Sequence, residues 1–165
     1  MGDAIYEARA RRTIIERVVS GLSEHGVDVK ASGGGKPEYT PADYAAALGN
    51  IESPMAAHLF WGGYMGYSKA RTNLIERLHL WGWRRWAERG RTAKIDVLLH
   101  GRLAALAVYE HTGKPAKYED RLRSLEIGEL RWRALRDHYD DLRRCLQEAD
   151  DALSRHLIER LREHP

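Results

Sequence analysis

The chain is predicted to be all-α, a multi-helix bundle with a helix-turn-helix-like corner and a long C-terminal helix. Three observations predict it. Arg, Leu, Ala and Glu dominate the 165 residues, and all four favour helix. β-branched residues are sparse, and the period-2 alternation of a half-buried strand is never sustained. Gly and Pro fall between segments whose apolar residues recur at helical spacing, as punctuation does. This length fits one helical domain over residues 1–165, with residues 141–165 as a C-terminal helical arm.

The first helix is expected from Asp3 to His25. Asp3 caps it, Ile5, Ala8, Ile15, Val18, Val19 and Leu22 form its apolar stripe, and Gly26 ends it. Residues 27–39 read as a flexible loop around Ser32-Gly33-Gly34-Gly35; no strand precedes it and no Gly-Lys-Ser/Thr follows, so it is a tether and not a phosphate cradle. Thr40-Pro41-Ala42-Asp43 starts a short helix that stops near Gly49. Ser53-Pro54 opens a third helix through Phe60, Trp61 and Tyr64, weakened by Gly62, Gly63 and Gly66. Ser68 caps a fourth helix to about Arg89, before Gly90. Thr92 caps a fifth, from Ala93 to about Thr112, with the core stripe Ile95, Leu98, Leu99, Leu103, Leu106 and Ala107. A short helix from Lys117 to Ser124 and a break at Glu126-Ile127-Gly128 follow. Glu129 to Glu163 has neither Gly nor Pro and reads as one long amphipathic helix or two with a bend.

Composition narrows the function. Hydrophobic residues make up 43% of the chain, enough for a core, and no apolar run approaches the roughly 20 residues a membrane span needs. Met1 to Arg12 has no apolar signal core, so a cytoplasmic location is expected, without membrane association. The lone Cys145 rules out an intramolecular disulfide framework and a cysteine-rich zinc site, and reads as an inert helix thiol.

Catalytic patterns are missing. The eight histidines form no His-x-x-x-His or His-Glu-x-x-His spacing, and His100 and His111 do not share a helical face. His138, beside Asp137 and near Asp140, reads as part of a solvated polar face. The acid pairs Glu119-Asp120, Asp140-Asp141 and Asp150-Asp151 point about 100° apart on a helix and do not converge. No enzyme activity, catalytic residue, metal or cofactor is expected.

Binding has more support. Lys69, Arg71, Arg77, Arg84, Arg85, Arg89, Arg91, Lys94 and Arg102 face only Glu76, Glu88 and Asp96 between residues 69 and 102, a local +6 in a chain of net +3. Within this stretch Trp81-Gly82-Trp83-Arg84-Arg85-Trp86 sets indoles beside guanidiniums, which suits stacking on, or pairing with, an anionic partner. Leu74, Leu78 and Trp81 form a stripe that ends or turns at Arg85, so Trp83, Arg84, Arg85, Arg89, Arg91 and Lys94 are the expected phosphate or partner surface. Two core tryptophans with arginines lying over them would explain the same residues. Residues 117–140 read as a helix-turn-helix-like segment. Leu125, Ile127 and Leu130 would form its small core, Gly128 would permit the turn, and Glu126 stands where most such turns hold glycine. Arg131, Trp132, Arg133 and Arg136, with Arg123 from the preceding helix, are the expected contacts to double-stranded DNA. An ordinary helix corner would look the same. Leucines 146, 153, 157 and 161 could pair with a second copy in a homo-oligomer or pack within the chain.

The order of pieces resembles the late-gene transcription antiterminators of the Q type in lambdoid and related phages. It rests on Thr40-Pro41-Ala42-Asp43-Tyr44-Ala45-Ala46-Ala47-Leu48-Gly49, the LxxWGW stretch from Leu78 to Trp83, the Ala/Leu-rich helix ending at Tyr109-Glu110, and the helix-turn-helix with its charged tail. It covers roughly residues 40 to 145. Some members insert a cysteine zinc element before the last helix-turn-helix; here Thr112 to Lys117 is a Gly-Pro turn without cysteine. The resemblance implies DNA binding near a late promoter, engagement of paused host RNA polymerase, and location in the host cytoplasm. The competing expectation is a helical phage interaction protein, an anti-defence inhibitor or small packaging subunit, that docks a protein on the Trp/Arg surface.

Overall fold

A computed structural model describes residues 14–23, 39–89 and 96–163, and the described elements are helical. Helix α1 covers residues 14–23, within the expected Asp3–His25. Helix α2 is Pro41–Ala47, α3 is Pro54–His58, and a π-helical stretch, Leu59–Tyr64, continues α3. Then come α4 (Ser68–Glu88), α5 (Val97–Thr112), α6 (Tyr118–Leu125) and α7 (Glu129–Glu163). The glycine-rich loop expected at 27–39, apart from Tyr39, and the Thr92 cap lie outside the described residues.

The chain divides into two compact units, one of residues 54–150 and one of 1–53 with 151–165. Helix α7 belongs to both, its first two-thirds in the larger unit and its end in the smaller.

In the smaller unit, Thr40 caps α2 as its sequence predicts. Its side chain accepts from the Asp43 N–H at 3.2 Å while the Asp43 carboxylate accepts from the Thr40 N–H at 2.7 Å. Ile15, Val18, Tyr44, Ala47, Leu48, Leu153, Leu157 and Leu161 are buried. Tyr39 donates its hydroxyl to the Leu161 carbonyl at 2.9 Å, and His156 Nε2 lies 2.8 Å from the Ala47 carbonyl. The α7 end is therefore built into a core. Leu146, Leu153, Leu157 and Leu161 are all at most 2% exposed, so of the two arrangements their spacing allowed, these leucines take the one within the chain.

The larger unit is built around α4, α5 and the first part of α7. Leu74, Leu78, Gly82 and Trp86 form the buried stripe of α4. The stripe thus continues through Gly82 to Trp86 and does not end at Arg85, because a spacing of four keeps these positions on one face. The missing side chain at Gly82 is what lets α5 and α7 close on α4: a Cβ there would stand 2.6 Å from Leu142 Cδ2 and 2.8 Å from His100 Cε1. Gly62 has the same role in the π-helical stretch, where a Cβ would come within 2.3 Å of the Arg71 backbone nitrogen. The helix expected through Tyr64 widens into π geometry where two glycines bring its backbone against α4.

Two helix starts differ from expectation. Ser68 is the first residue of α4 and Tyr67 occupies the cap position without a side-chain bond. Asp96 caps α5, accepting from the Leu99 N–H at 2.6 Å. Because α5 starts there, Leu98 points outward, while Leu99, Leu103 and Ala107 are buried as expected.

Candidate nucleic-acid interface and the polar core behind it

Helix α6 ends at Leu125, three residues turn the chain, and α7 begins at Glu129. Glu126 adopts the left-handed conformation, φ 56° and ψ 42°, that the sequence demanded of it. Its N–H and that of Ile127 return to carbonyls of α6, at 3.1 Å each, which closes the helix end. Gly128 is not the residue that permits the turn. Its φ is not positive, and a Cβ there would meet nothing within 4 Å. Leu125 is buried and Ile127 packs against the core, but Leu130 is 81% exposed and takes no part in it.

The expected DNA contacts divide. Arg123, Arg133 and Arg136 are exposed, and Arg131 is half-buried. Trp132 is not a contact residue: it is 4% exposed and packs on Tyr139, ring centroids 5.3 Å apart. It lies three residues before Leu135 and seven before Tyr139, on the buried stripe of α7, so the indole enters the bundle while its arginine neighbours stay outside. Arg133 pairs with Glu129 at 2.9 Å and Arg123 with Asp120 at 3.4 Å, both on the surface. Such pairs contribute about 0–1 kcal/mol, so these guanidiniums can be drawn to a stronger anion. Arg136 forms no ion pair among the described residues. Exposed Asp137 and Asp140 share this part of α7, so its field is mixed in sign.

Behind this surface, Glu110 is buried and held by two arginines. Arg121 grips it with a fork, Nε to Oε1 at 2.9 Å and Nη2 to Oε2 at 2.7 Å. Arg143 Nη1 lies 3.6 Å from Oε2. The Arg121 guanidinium also lies over the rings of Trp132 and Tyr139, at 5.0 and 5.2 Å from their centroids. Hydrogen bonding to Glu110 raises the Arg121 pKa, so its charge is permanent. Burial pushes the Tyr139 phenol up to about 12. This cluster ties α6 to α5 and α7, and fixes the corner.

The Trp/Arg surface is also divided. Trp86 is buried and Trp81 half-buried, while Trp83, Arg84 and Arg85 are exposed. Arg85 faces Glu88 at 3.8 Å. Arg89 is engaged within the chain: it binds the buried Asp141 carboxylate at 2.5 Å. Arg91 and Lys94 lie outside the described residues. Other cations of the basic stretch are likewise engaged within the chain. Arg71 donates to the Gly62 carbonyl at 3.1 Å, while Arg102 pairs at the surface with Glu126 at 2.9 Å. The outer face of α4 therefore presents Leu80, 61% exposed, Trp83, 39% exposed, and Arg84.

His138 is fully buried, not part of a solvated face. Its Nε2 lies 2.6 Å from Nε2 of the equally buried His100. His79 stacks on His100 with centroids 4.8 Å apart, and Trp83 and Trp86 set their rings edge-on to His100 and His138. Sequence spacing could not pair residues 38 apart. It did carry one signal, since His138 lies between Leu135 and Leu142 on the buried stripe of α7. A second, half-buried group joins His111 Nε2 to Asp150, whose other oxygen accepts from the Tyr64 hydroxyl at 2.6 Å. Among the described residues no three His, Cys, Asp or Glu side chains form a metal-holding group, and no helix is long and apolar enough to cross a membrane.

No family model matches the chain, and neither a curated protein nor a solved structure shows significant similarity to it.

Proposed function

We propose that this chain is a phage-type DNA-binding regulator of transcription, an antiterminator acting on host RNA polymerase, and that the α6–α7 corner meets the DNA. One observation carries the reading: Arg123, Arg133 and Arg136 stand outside a three-residue helical corner whose inner residues, Leu125, Trp132 and the Arg121–Glu110 fork, hold it rigidly. Pre-organised guanidiniums on the first turns of a helix can reach the major groove and the phosphates flanking it. The exposed ion pairs at Arg123 and Arg133 are weak enough to exchange for phosphate.

The test is a salt titration of binding to duplex DNA by fluorescence anisotropy. About six phosphate contacts predict an affinity loss of roughly 10³ or more between low and physiological salt. Arg133→Ala and Arg136→Ala should each weaken binding, and a phosphate-contacting arginine reduces the salt slope by about 1 when removed. Salt-independent or absent binding, or two variants that bind like the parent, would remove the reading.

A second reading is favoured by Leu80 and Trp83, exposed next to Arg84 on α4. Apolar side chains held between cations suit a protein partner better than a phosphate backbone. A phage interaction protein, such as an anti-defence inhibitor or small packaging subunit, would use this face. A pull-down from host extract before and after nuclease treatment separates the two. Capture lost with nuclease favours DNA, and capture that survives nuclease but fails in Trp83→Ala favours the protein.

A further inference from the structure

Two imidazoles from separate helices meet inside the larger unit. His100 of α5 and His138 of α7 are both 0% exposed, with their Nε2 atoms 2.6 Å apart. That contact requires one nitrogen to carry a proton and the other to lack it. Trp83 and Trp86 set their rings against the pair, and a Cβ at Gly82 would stand 2.8 Å from His100 Cε1, so α4 packs closely on it.

We propose that the His100–His138 pair is an acid-triggered release: a further proton taken up by the pair loosens α7 from α4 and α5. The surroundings offer little to stabilise that charge. From α4 come His79, itself a base, and Arg89, a cation. From α7 comes Asp141, one turn beyond His138, but its carboxylate is already bound by Arg89 at 2.5 Å and faces Arg144 at 3.5 Å. Burial first, then the charges of His138 and His79, bring His100 down to about 4, against a hydrogen bond with the Gly82 backbone that favours the proton.

The sign follows from these facts. An unfolded histidine takes up its proton near pH 6.5, and the folded pair refuses it. Unfolding therefore binds a proton below about pH 6.5, and stability is lost as the pH falls from there towards 4. Carboxylates contribute mainly below pH 5, so the window between pH 6 and 5 isolates the histidines.

Urea unfolding of the full chain, followed by far-UV circular dichroism at pH 7.5, 6 and 5, tests the proposal. The expected result is an unfolding constant that rises about tenfold between pH 6 and 5 for each proton taken up. The His100→Leu/His138→Leu double variant should lose that rise. A wild-type constant unchanged across this window, or a double variant with the same rise, overturns the proposal. Imidazole ¹⁵N spectra of the wild type keep the test decisive if the double variant does not fold. Both rings should stay neutral at pH 5.5, and a ring titrating near 6.5 in the folded protein overturns the idea. Zinc added at pH 7.5 is a control: a raised urea midpoint in the wild type alone would make the pair a ligand set and overturn the proton reading. None of these outcomes depends on the protein binding DNA.

Discussion

Arg121 and Glu110, eleven residues apart, form a two-toothed ion pair in which both carboxylate oxygens are gripped and the acid is almost wholly out of water. The pair joins α6 to α5, and its guanidinium supports Trp132 and Tyr139 from one side. Removing one partner leaves the other charge buried, which typically costs about 3–5 kcal/mol. Arg121→Ala should therefore lower the urea midpoint strongly. Arg121→Lys keeps the charge but loses the fork and the stacking, and should recover only part of the loss. A lysine variant as stable as the parent would show that charge alone matters here.

Trp132 and Arg133 are neighbours with opposite fates, and equilibrium unfolding separates them. Trp132→Ala opens a cavity in the core and should cost about 3–5 kcal/mol. Arg133→Ala changes an exposed position and should stay within about 0.5 kcal/mol. A tolerated Trp132→Ala would place the indole outside the bundle.

The left-handed Glu126 holds strain of roughly 1–2 kcal/mol that glycine does not feel. Glu126→Gly also loses the exposed contact to Arg102, which is worth at most about 1 kcal/mol. A modest net gain in melting temperature is the expected outcome, and a loss of several degrees would contradict it. Gly128→Ala, with open space around the new methyl, should leave the fold intact.

Gly82 has the opposite character. Gly82→Ala drives a methyl into Leu142 and His100, and overpacking of this kind costs about 1–3 kcal/mol. Gly62→Ala meets backbone, which cannot step aside, and should be the more damaging of the two. Parallel thermal melts compare them directly, and equal midpoints would refute the ranking.

Burial raises the Cys145 thiol to about 11, with Glu148 adding to the shift. At neutral pH almost no thiolate forms, so a disulfide reagent should label the folded chain slowly and the urea-unfolded chain at once. Fast labelling under native conditions would mean that α7 opens locally.

Much of this was legible in the sequence because local chemistry decided it. Thr40-Pro41-Ala42-Asp43 satisfies its own helix end, and a three-residue break before an uninterrupted run fixes the corner at Glu126 to Gly128. What failed was the direction in which single side chains point. Trp132 sits between two arginines, and its flanks suggested solvent, although its spacing from Leu135 and Tyr139 marked the buried stripe. Arg85 looked like the end of the α4 stripe because Gly82 has no side chain to reveal that the stripe passes through it. The basic run between 69 and 102 looked like one surface, yet Arg71 and Arg89 bind groups inside the fold. The His100–His138 and Glu110–Arg121 contacts depend on tertiary approach, which helical periodicity cannot supply.

The smaller unit joins α1 and α2 to the end of α7. On the ribosome, α1 and α2 emerge early but must wait, with their apolar faces uncovered, until Leu153, Leu157 and Leu161 have been synthesised. Residues 54–150 leave the exit tunnel as a continuous stretch and can collapse meanwhile. Birth order and folding order are thus reversed for the N-terminal helices, which makes them the part of the nascent chain most exposed to chaperones and proteases.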